Sequence, residues 1–173
     1  MKGALDGVKI LDLSRLLAGP YATMCLADMG ATVYKVESPA KGDDSRAWGP
    51  FKNGESCYFM SANRGKKSIA VDMKKPQGRE IVLRMAKECD VVIENFRSGV
   101  MERLGLGYET LKEENPGIIY CQITGFGQDG PEANRGGVDL AMQAASGLMS
   151  LTGYEGMPPV RLGVSLCDLA TGM

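Results

Sequence analysis

The sequence predicts an α/β fold, in which a Rossmann-like and mostly parallel sheet is flanked by helices. Short runs of β-forming residues alternate with helical segments along the chain, and this alternation is typical of parallel sheets. The helix Tyr21–Met29 connects the strands Val8–Ser14 and Thr32–Glu37, which gives a strand–helix–strand unit with a right-handed crossover. The chain has 173 residues, of which 44% are hydrophobic, and this is enough to bury one sizeable core.

Five segments rich in branched and aromatic residues are predicted as strands. A shorter run, Val160–Val164, is a candidate sixth strand. In chain order, the five strands are Val8–Ser14, Thr32–Glu37, Ser68–Asp72, Cys89–Glu94 and Ile118–Thr124.

Proline and glycine mark the ends of several predicted helices. Pro20 is suited to the first position of a helix, Gly30 to a C-terminal cap, and Pro116 to the position after a helix. In chain order, the predicted helices are Tyr21–Met29, Lys75–Glu88, Met101–Gly105, Tyr108–Asn115, Leu140–Leu151 and the segment that begins at Ser165.

Two segments are predicted as loops. Ser38–Gly65 is polar, rich in Gly, Pro and Asn, and includes an aromatic stretch at Cys57–Met60. It is too long for an ordinary connection and is therefore a candidate functional segment. Phe126–Gly137 is a glycine-rich loop that follows the last of the five strands.

Charge and composition exclude several classes of protein. The 20 basic and 21 acidic residues give no broad basic surface for a nucleic acid. No apolar run approaches the length of a membrane span, and the N-terminus lacks the pattern of a signal peptide. Five cysteines without a CxxC pair suit reduced thiols. We therefore expect a cytoplasmic protein.

The chain contains no histidine. This excludes Ser-His-Asp and Cys-His catalysis within the chain, as well as histidine-ligated zinc. No metal site is predicted. Acid–base or nucleophilic chemistry must come from carboxylates, Lys, Tyr, Cys or Ser.

Two motifs could indicate phosphate binding. Gly125–Gly130 matches GxGxxG directly after a strand, but Pro131 and a polar run follow where a dinucleotide fingerprint needs an apolar helix. This motif is interpreted as a loop. The basic cluster Asn63–Lys67 has two open interpretations: a solvated turn, or a site for the phosphates of a soluble ligand.

Four aspartates lie in apolar surroundings, namely Asp12, Asp28, Asp139 and Asp168. A carboxylate in such a place is costly unless it is paired, caps a helix or is catalytic. Asp168 is suited to the N-cap of a helix over the run LATGM. The residues alone do not choose among these roles.

The chain resembles the N-terminal portion of the class III CoA-transferases, the family that includes formyl-CoA and carnitine CoA-transferases. Six stretches in the correct order carry the resemblance: LDGVKILDLSRLLAGPYATMCLADMGATVYKVE, GDDSR, NRGKKSIAVDMKKPQGRE, VVIENFRSGVMERLGLGYETLKEENPGIIYCQITGFGQDGP, GGVDLAMQAASGLMSLTG and GVSLCDLATGM. The resemblance implies that residues 1–173 form the N-terminal part of a large CoA-binding α/β domain, whose second domain lies outside this chain. It also implies a homodimer.

The resemblance further implies that Asp168 is a covalent nucleophile. The substrates would be an acyl-CoA and a carboxylic acid, with coenzyme A as a substrate rather than a tightly bound cofactor. The residues that match the family's CoA site are Leu17, Ala18, Val71, Asp72, Met73, Lys74, Asn95, Phe96, Arg97, Arg103, Gly136, Gly137, Val138 and Asp139.

Three positions depart from the family's patterns. Formyl-specific members carry Gln where this chain has Leu17 and Arg where it has Ser38, so a formyl or oxalyl substrate is not expected. The related α-methylacyl-CoA racemases carry a histidine at the position of Val138, which favours transfer over isomerisation. A non-catalytic CoA-binding fragment is the other alternative. Because family members are considerably longer, residues 1–173 alone are expected to be inactive.

Overall fold

A computed structural model describes residues 3–173 of the protein. Its main sheet has five strands, all parallel, and a separate hairpin has two short strands. The strands are β1 (Lys9–Asp12), β2 (Thr32–Glu37), β3 (Phe51–Lys52), β4 (Glu55–Ser56), β5 (Lys67–Ala70), β6 (Val91–Glu94) and β7 (Ile119–Gln122). The helices are α1 (Ala18–Asp28), α2 (Cys57–Asn63), α3 (Pro76–Lys87), α4 (Val100–Arg103), α5 (Tyr108–Glu114), α6 (Asp139–Ala145) and α7 (Leu166–Gly172). The predicted α/β class and parallel sheet are confirmed.

The strand order in the main sheet is β5-β2-β1-β6-β7. The chain moves outward from β1 in one direction through β2 and β5, and then in the other direction through β6 and β7. The connection that leaves β1 and the connection that leaves β6 therefore run in opposite directions along the sheet. They leave a crevice between the carboxyl ends of these two strands. In open α/β sheets this is the place where ligands bind.

Alternating side chains of the central strands bury both faces of the sheet. Leu11 and Val92 pack with Val82 of α3 in one core cluster. Ile10 and Ile93, each one residue away along its strand, pack with Leu26 of α1 in the other. Since successive residues of a strand point to opposite faces, α1 and α3 cover opposite faces of the sheet. No helix among residues 3–173 is long and apolar enough to cross a membrane.

The first helix begins three residues earlier than predicted. α1 starts at Ala18, and the amide of Tyr21 donates to the carbonyl of Leu17 over 2.7 Å. Pro20 is thus the third residue of the helix rather than the first. This position is also tolerated, because amides of the first turn have no partner within the helix.

Two further predictions from the second half of the chain are wrong in detail. The predicted helix Leu140–Leu151 is split, because Gly147 has φ +78° and a 3₁₀ turn follows over Leu148–Leu151. The candidate strand Val160–Val164 pairs with no strand of the described chain. Instead, its backbone bonds to a side chain: Gln143 accepts from the Leu162 amide over 2.9 Å and donates to the Val164 carbonyl over 3.1 Å.

The predicted loop Ser38–Gly65 contains structure that the sequence analysis did not foresee. It holds a 3₁₀ turn at Asp44–Ala47, the β3–β4 hairpin and helix α2. Ser56 begins the helix as its N-cap, accepting a hydrogen bond from the Phe59 amide over 3.0 Å. The segment places this helix against α1, beside the carboxyl edge of the sheet.

Candidate functional site

Asp168 lies in the first turn of α7, which packs closely on α1. The approach is so close that a Cβ at Gly172 would lie 2.7 Å from the Ala18 carbonyl oxygen. Ser165 precedes the helix and makes no side-chain capping bond. Asp168 is the third helical residue, so the prediction that it caps this helix is wrong.

Asp139 performs that capping role from α6. Its Oδ1 accepts hydrogen bonds from the amides of Cys167 over 2.9 Å and Asp168 over 3.3 Å. Its Oδ2 accepts from Nε2 of Gln143 over 2.6 Å. The predicted site residue Asp139 therefore adjoins Asp168 and fixes the start of its helix.

The basic cluster Asn63–Lys67 neutralises two of the other aspartates. Lys66 is buried, and its Nζ lies 3.0 Å from Oδ2 of Asp12, which also accepts from Oγ1 of Thr23 over 2.6 Å. Arg64 pairs with Asp28 at the surface. Neither interpretation of the cluster holds for Lys66, which is part of the core and available neither to solvent nor to a phosphate.

The carboxylate of Asp168 differs from the other three. No residue within the described range 3–173 donates a hydrogen bond or forms an ion pair with its side chain. It is partly buried. Burial, together with the negative charge of Asp139, raises the pKa of Asp168 above the ordinary value for an aspartate. Among the four candidates, this is the carboxylate whose oxygens are left for a ligand.

Two clefts meet at Asp168, with volumes of about 700 Å³ and about 410 Å³. They lie at the carboxyl ends of β1 and β6, where the strand order reverses. The residues that line both clefts are Leu16, Ala18, Asn95, Gly137, Val138 and Asp168.

Most of the predicted CoA-site residues gather around these clefts. Besides Asp168, they are Leu17, Ala18, Asn95, Phe96, Arg97, Gly136, Gly137, Val138 and Asp139. Sequence positions more than 100 residues apart thus converge on one edge of the sheet.

The remaining predicted residues lie elsewhere. Met73, Lys74 and Arg103 line a separate hollow of about 390 Å³ beside the start of α3. Val71 is buried in the core. Asp72 shapes the turn before α3, since its Oδ1 accepts from the Lys74 amide over 3.1 Å. The structure therefore does not bring these five residues together with Asp168.

Close backbone packing explains the glycines at the base of the larger cleft. A Cβ on Gly125 would lie 2.6 Å from the Cα of Gly137, and a Cβ on Gly137 would lie equally close to the Cα of Gly125. A Cβ on Gly136 would be 3.0 Å from Nε of Arg97. The first glycine of the GxGxxG match thus allows two backbone segments to touch, which agrees with the interpretation of that motif as a loop.

Sequence reasoning missed two aromatic residues beside Asp168. Trp48 and Tyr58 line the smaller cleft, with ring centroids 5.3 Å apart in an edge-to-face arrangement. Burial, with further contributions from the charges of Asp168 and Asp139, raises the pKa of Tyr58. The only signal in the sequence was the aromatic stretch within the long polar segment.

Three arginines on the walls of the clefts were not predicted from the sequence either. Arg15 lies in the larger cleft, with its guanidinium carbon 4.5 Å from the ring centre of Phe96. Arg135 lines the same cleft, and Arg161 the smaller one. With Arg97, these side chains supply guanidinium groups that suit carboxylates or phosphates.

Comparison with known sequences shows the family to which the chain belongs. The sequence model of CoA-transferase family III matches residues 5–173. The chain belongs to this family. The resemblance predicted from the six sequence stretches is thereby confirmed.

Individual relatives in CoA-transferase family III support the assignment. The chain is 56% identical over 170 residues to succinyl-CoA:glutarate CoA-transferase of Mus musculus, covering 98% of this chain and 39% of the relative. It is 47% identical over 179 residues to succinate–glutarate CoA-transferase of Agrobacterium fabrum, covering 99% of this chain and 45% of the relative. The chain thus spans less than half the length of these relatives.

The fold agrees with that of a solved structure. The crystal structure of a CAIB/BAIF family protein from Brucella suis superimposes with a TM-score of 0.95 at 48% sequence identity. The match covers 99% of this chain and 47% of that chain. The α/β arrangement of the described residues is therefore that of about half of a larger protein.

Proposed function

We propose that the full-length protein transfers CoA from an acyl-CoA thioester to a carboxylic acid through a covalent intermediate on Asp168. The observation that supports this most directly is the state of the four candidate aspartates. Asp12, Asp28 and Asp139 are held by structural partners, whereas Asp168 faces the junction of two clefts without one among residues 3–173. A carboxylate in that position can act as a nucleophile.

The proposed reaction uses the carboxylate alone. An oxygen of Asp168 attacks the thioester carbonyl carbon, the C–S bond breaks, and a mixed anhydride and CoA thiolate form. The thiolate then attacks the Asp168 carbonyl carbon, which releases the first acid and leaves an aspartyl-CoA thioester. The acceptor carboxylate attacks this thioester and expels the thiolate, which finally attacks the acceptor carbonyl and regenerates Asp168. Every intermediate is an activated acyl compound, either an anhydride or a thioester, and no step needs a histidine.

Chemical properties of the site fit these steps. The raised pKa of Asp168 reflects a poorly solvated carboxylate, and weaker solvation makes such an oxygen a better nucleophile. The apolar wall formed by Leu16 and Ala18 helps to keep water from the anhydride. The guanidinium groups of Arg15 and Arg97 can bind the anionic ends of the substrates.

Dicarboxylic acids are the proposed acids. The two relatives described above are named for succinate and glutarate, and arginines in the clefts suit a second carboxylate. Because the chain covers only 39–45% of these relatives, the proposal concerns the full-length protein. Residues 1–173 alone are not expected to be active.

Isomerisation by proton removal is the alternative reaction. It is disfavoured because Val138 occupies the position at which the related racemases carry their histidine. The Val138 side chain is apolar and 61% exposed, so it offers no base beside Asp139.

A trapping experiment distinguishes the two reactions. The full-length protein is incubated with succinyl-CoA and hydroxylamine, and its peptides are analysed by mass spectrometry. We expect a hydroxamate on Asp168, because hydroxylamine attacks the activated aspartyl carbonyl. An unmodified Asp168 together with exchange of the α-proton into heavy water would instead establish the isomerase and refute the transferase.

The pH dependence of transfer provides a second test. Only the ionised carboxylate is nucleophilic, so activity should fall as the pH drops through the raised pKa of Asp168. Replacing Asp139 by Asn removes a neighbouring negative charge while keeping an Oδ1 that can accept from Cys167 and Asp168. We expect the acid limb of kcat against pH to move to lower pH in Asp139→Asn.

The control is Asp90→Asn at the opposite, amino-terminal edge of the sheet, where the carboxylate accepts from the Lys9 amide. An unchanged limb in Asp139→Asn, or an equal shift in the control, would contradict the assignment.

A further inference from the structure

The loop between β1 and α1, residues 13–17, contains a strained residue at the site. Leu16 has φ +64°, in the left-handed region that side chains other than Gly, Asn and Asp rarely adopt. The same residue lines both clefts beside Asp168. The conformation of this loop therefore sets the shape of the cleft wall, and surrounding groups must hold it.

Two side chains from neighbouring strand ends hold the first half of the loop. Oδ1 of Asp12 accepts from the Ser14 amide over 2.9 Å. Asn95 binds both polar groups of the Arg15 backbone, accepting from its amide and donating to its carbonyl, each over 2.8 Å. The contacts of Asn95 cross from β6 to the loop after β1, at the reversal of strand order.

A buried ion pair holds two further polar groups of the loop. Nζ of Lys35 donates to the Ser14 carbonyl over 2.9 Å, and Oδ1 of Asp43 accepts from the Leu16 amide over 3.2 Å. Lys35 and Asp43 are joined to each other, with Nζ and Oδ2 2.9 Å apart. One ion pair thus contacts the loop on both sides of Arg15.

The burial of this pair needs an explanation other than stability. The side chains of Lys35 and Asp43 are each 1% exposed. Removing two charges from water is costly, and apolar residues of similar volume often serve a core equally well. What apolar residues could not do is donate to the Ser14 carbonyl and accept from the Leu16 amide. The geometry thus indicates a role at the loop.

We propose that Lys35 and Asp43 are positioning residues, which hold the loop 13–17 in the strained conformation that shapes the substrate cleft beside Asp168. They touch neither cleft and act through the backbone of Ser14 and Leu16. This inference rests on the proposed CoA-transferase function for its kinetic consequences. Its structural content, the fixing of the loop, stands apart from that function.

The test uses the double variant Lys35→Met/Asp43→Asn in the full-length protein. It removes both charges together, so that no buried charge is left unpaired, and it keeps the volumes nearly constant. The Ser14 carbonyl loses its donor, and the side chain that accepts from the Leu16 amide is no longer fixed by an ion pair. We therefore expect amide hydrogen exchange at Arg15 and Leu16 to accelerate about tenfold or more, while exchange at Leu11 in β1 stays unchanged. We also expect kcat/KM for succinyl-CoA and glutarate, per folded molecule, to fall about 10- to 100-fold, because small displacements of a cleft wall misalign the reacting groups.

The matched control is Val82→Ala, which weakens the buried core beneath α3 and removes none of the polar contacts of the loop. It should lower the melting temperature but leave kcat/KM per folded molecule and exchange at Arg15 unchanged. If the double variant does not fold, Lys35→Gln/Asp43→Asn is measured in the same way. It also removes both charges together, and the two amide side chains can hydrogen-bond to each other in place of the ion pair.

The outcomes separate the two proposals. Unchanged exchange at Arg15 and Leu16 in a folded variant would overturn the positioning role, and so would a normal kcat/KM. Equal kinetic losses in Val82→Ala would overturn it too, since they would mark a general effect of instability. If the wild-type protein transfers no CoA, the proposed function fails, but the exchange measurement still decides whether the ion pair fixes the loop.

Discussion

Replacing Asp168 by Ala or Asn is expected to abolish CoA transfer in the full-length protein. Both substitutions remove the carboxylate oxygen that would attack the thioester, and loss of a covalent nucleophile typically costs on the order of 10⁴-fold or more in kcat. The fold should remain intact, because the Asp168 side chain has no hydrogen-bond partner within residues 3–173. The measurement is initial-rate CoA transfer, with circular dichroism as the check on folding.

The matched control is again Asp90→Asn, which changes a carboxylate at the opposite edge of the sheet. Its activity should equal that of the wild type. Asp168→Glu adds a further comparison, because it keeps the carboxylate but moves it by one methylene, and we expect it to retain only a small fraction of the rate. Substantial transfer by Asp168→Ala would show that the nucleophile is another residue.

The sequence predicts the main sheet well because its strands are buried and strongly patterned. β2 is found over Thr32–Glu37, the predicted range, since its β-branched and aromatic residues leave no helical alternative. The hairpin β3–β4 was missed because strands of two residues have no measurable period. The false strand Val160–Val164 has the right residue types but pairs with no strand among residues 3–173. Its backbone is satisfied by Gln143, a partner in another segment that no local pattern reveals.

The site could be predicted only in part. The residues alone left Asp139 and Asp168 equivalent, because both are aspartates in apolar surroundings. Their difference appears in three dimensions, where Asp139 caps α7 and Asp168 lies between two clefts. The resemblance to CoA-transferases selected Asp168, but it could not reveal Tyr58, whose place beside Asp168 depends on how α2 packs against α1.

The buried lysine in the basic cluster leads to the largest expected effect on stability. Replacing Lys66 by Met should lower the free energy of unfolding by about 3–5 kcal/mol, because it leaves the carboxylate of Asp12 in the core with one cation fewer. Nζ of Lys66 also donates to the carbonyl of Pro20 over 2.8 Å and to Oδ1 of Asn63 over 2.9 Å, so two further acceptors lose their donor. The measurement is urea denaturation at neutral pH.

Arg64→Met is the matched control from the same cluster. It breaks an ion pair with Asp28 in which both side chains are substantially exposed, and such pairs contribute little to stability. A large difference between the two variants would show that burial decides the role of a lysine or arginine in this cluster. Similar losses of stability in Arg64→Met and Lys66→Met would refute this role of burial.

The pH dependence of unfolding gives the sign of the Asp12–Lys66 interaction. Burial opposes ionisation of Asp12, but the charges of Lys35 and Lys66 and the hydrogen bonds from Ser14 and Thr23 outweigh it, and the pKa of Asp12 lies below its ordinary value. A carboxylate with a lowered pKa contributes stability above the pKa of the unfolded chain, and this stability is lost as the pH falls through the lower, folded pKa. Lys66→Met should raise the pKa of Asp12 and move acid unfolding to higher pH.

The double variant Asp12→Asn/Lys66→Met, which leaves no unpaired carboxylate, should recover part of the lost stability and show a weaker pH dependence. A double variant that is as unstable as the sum of the single ones would show that the two charges do not interact.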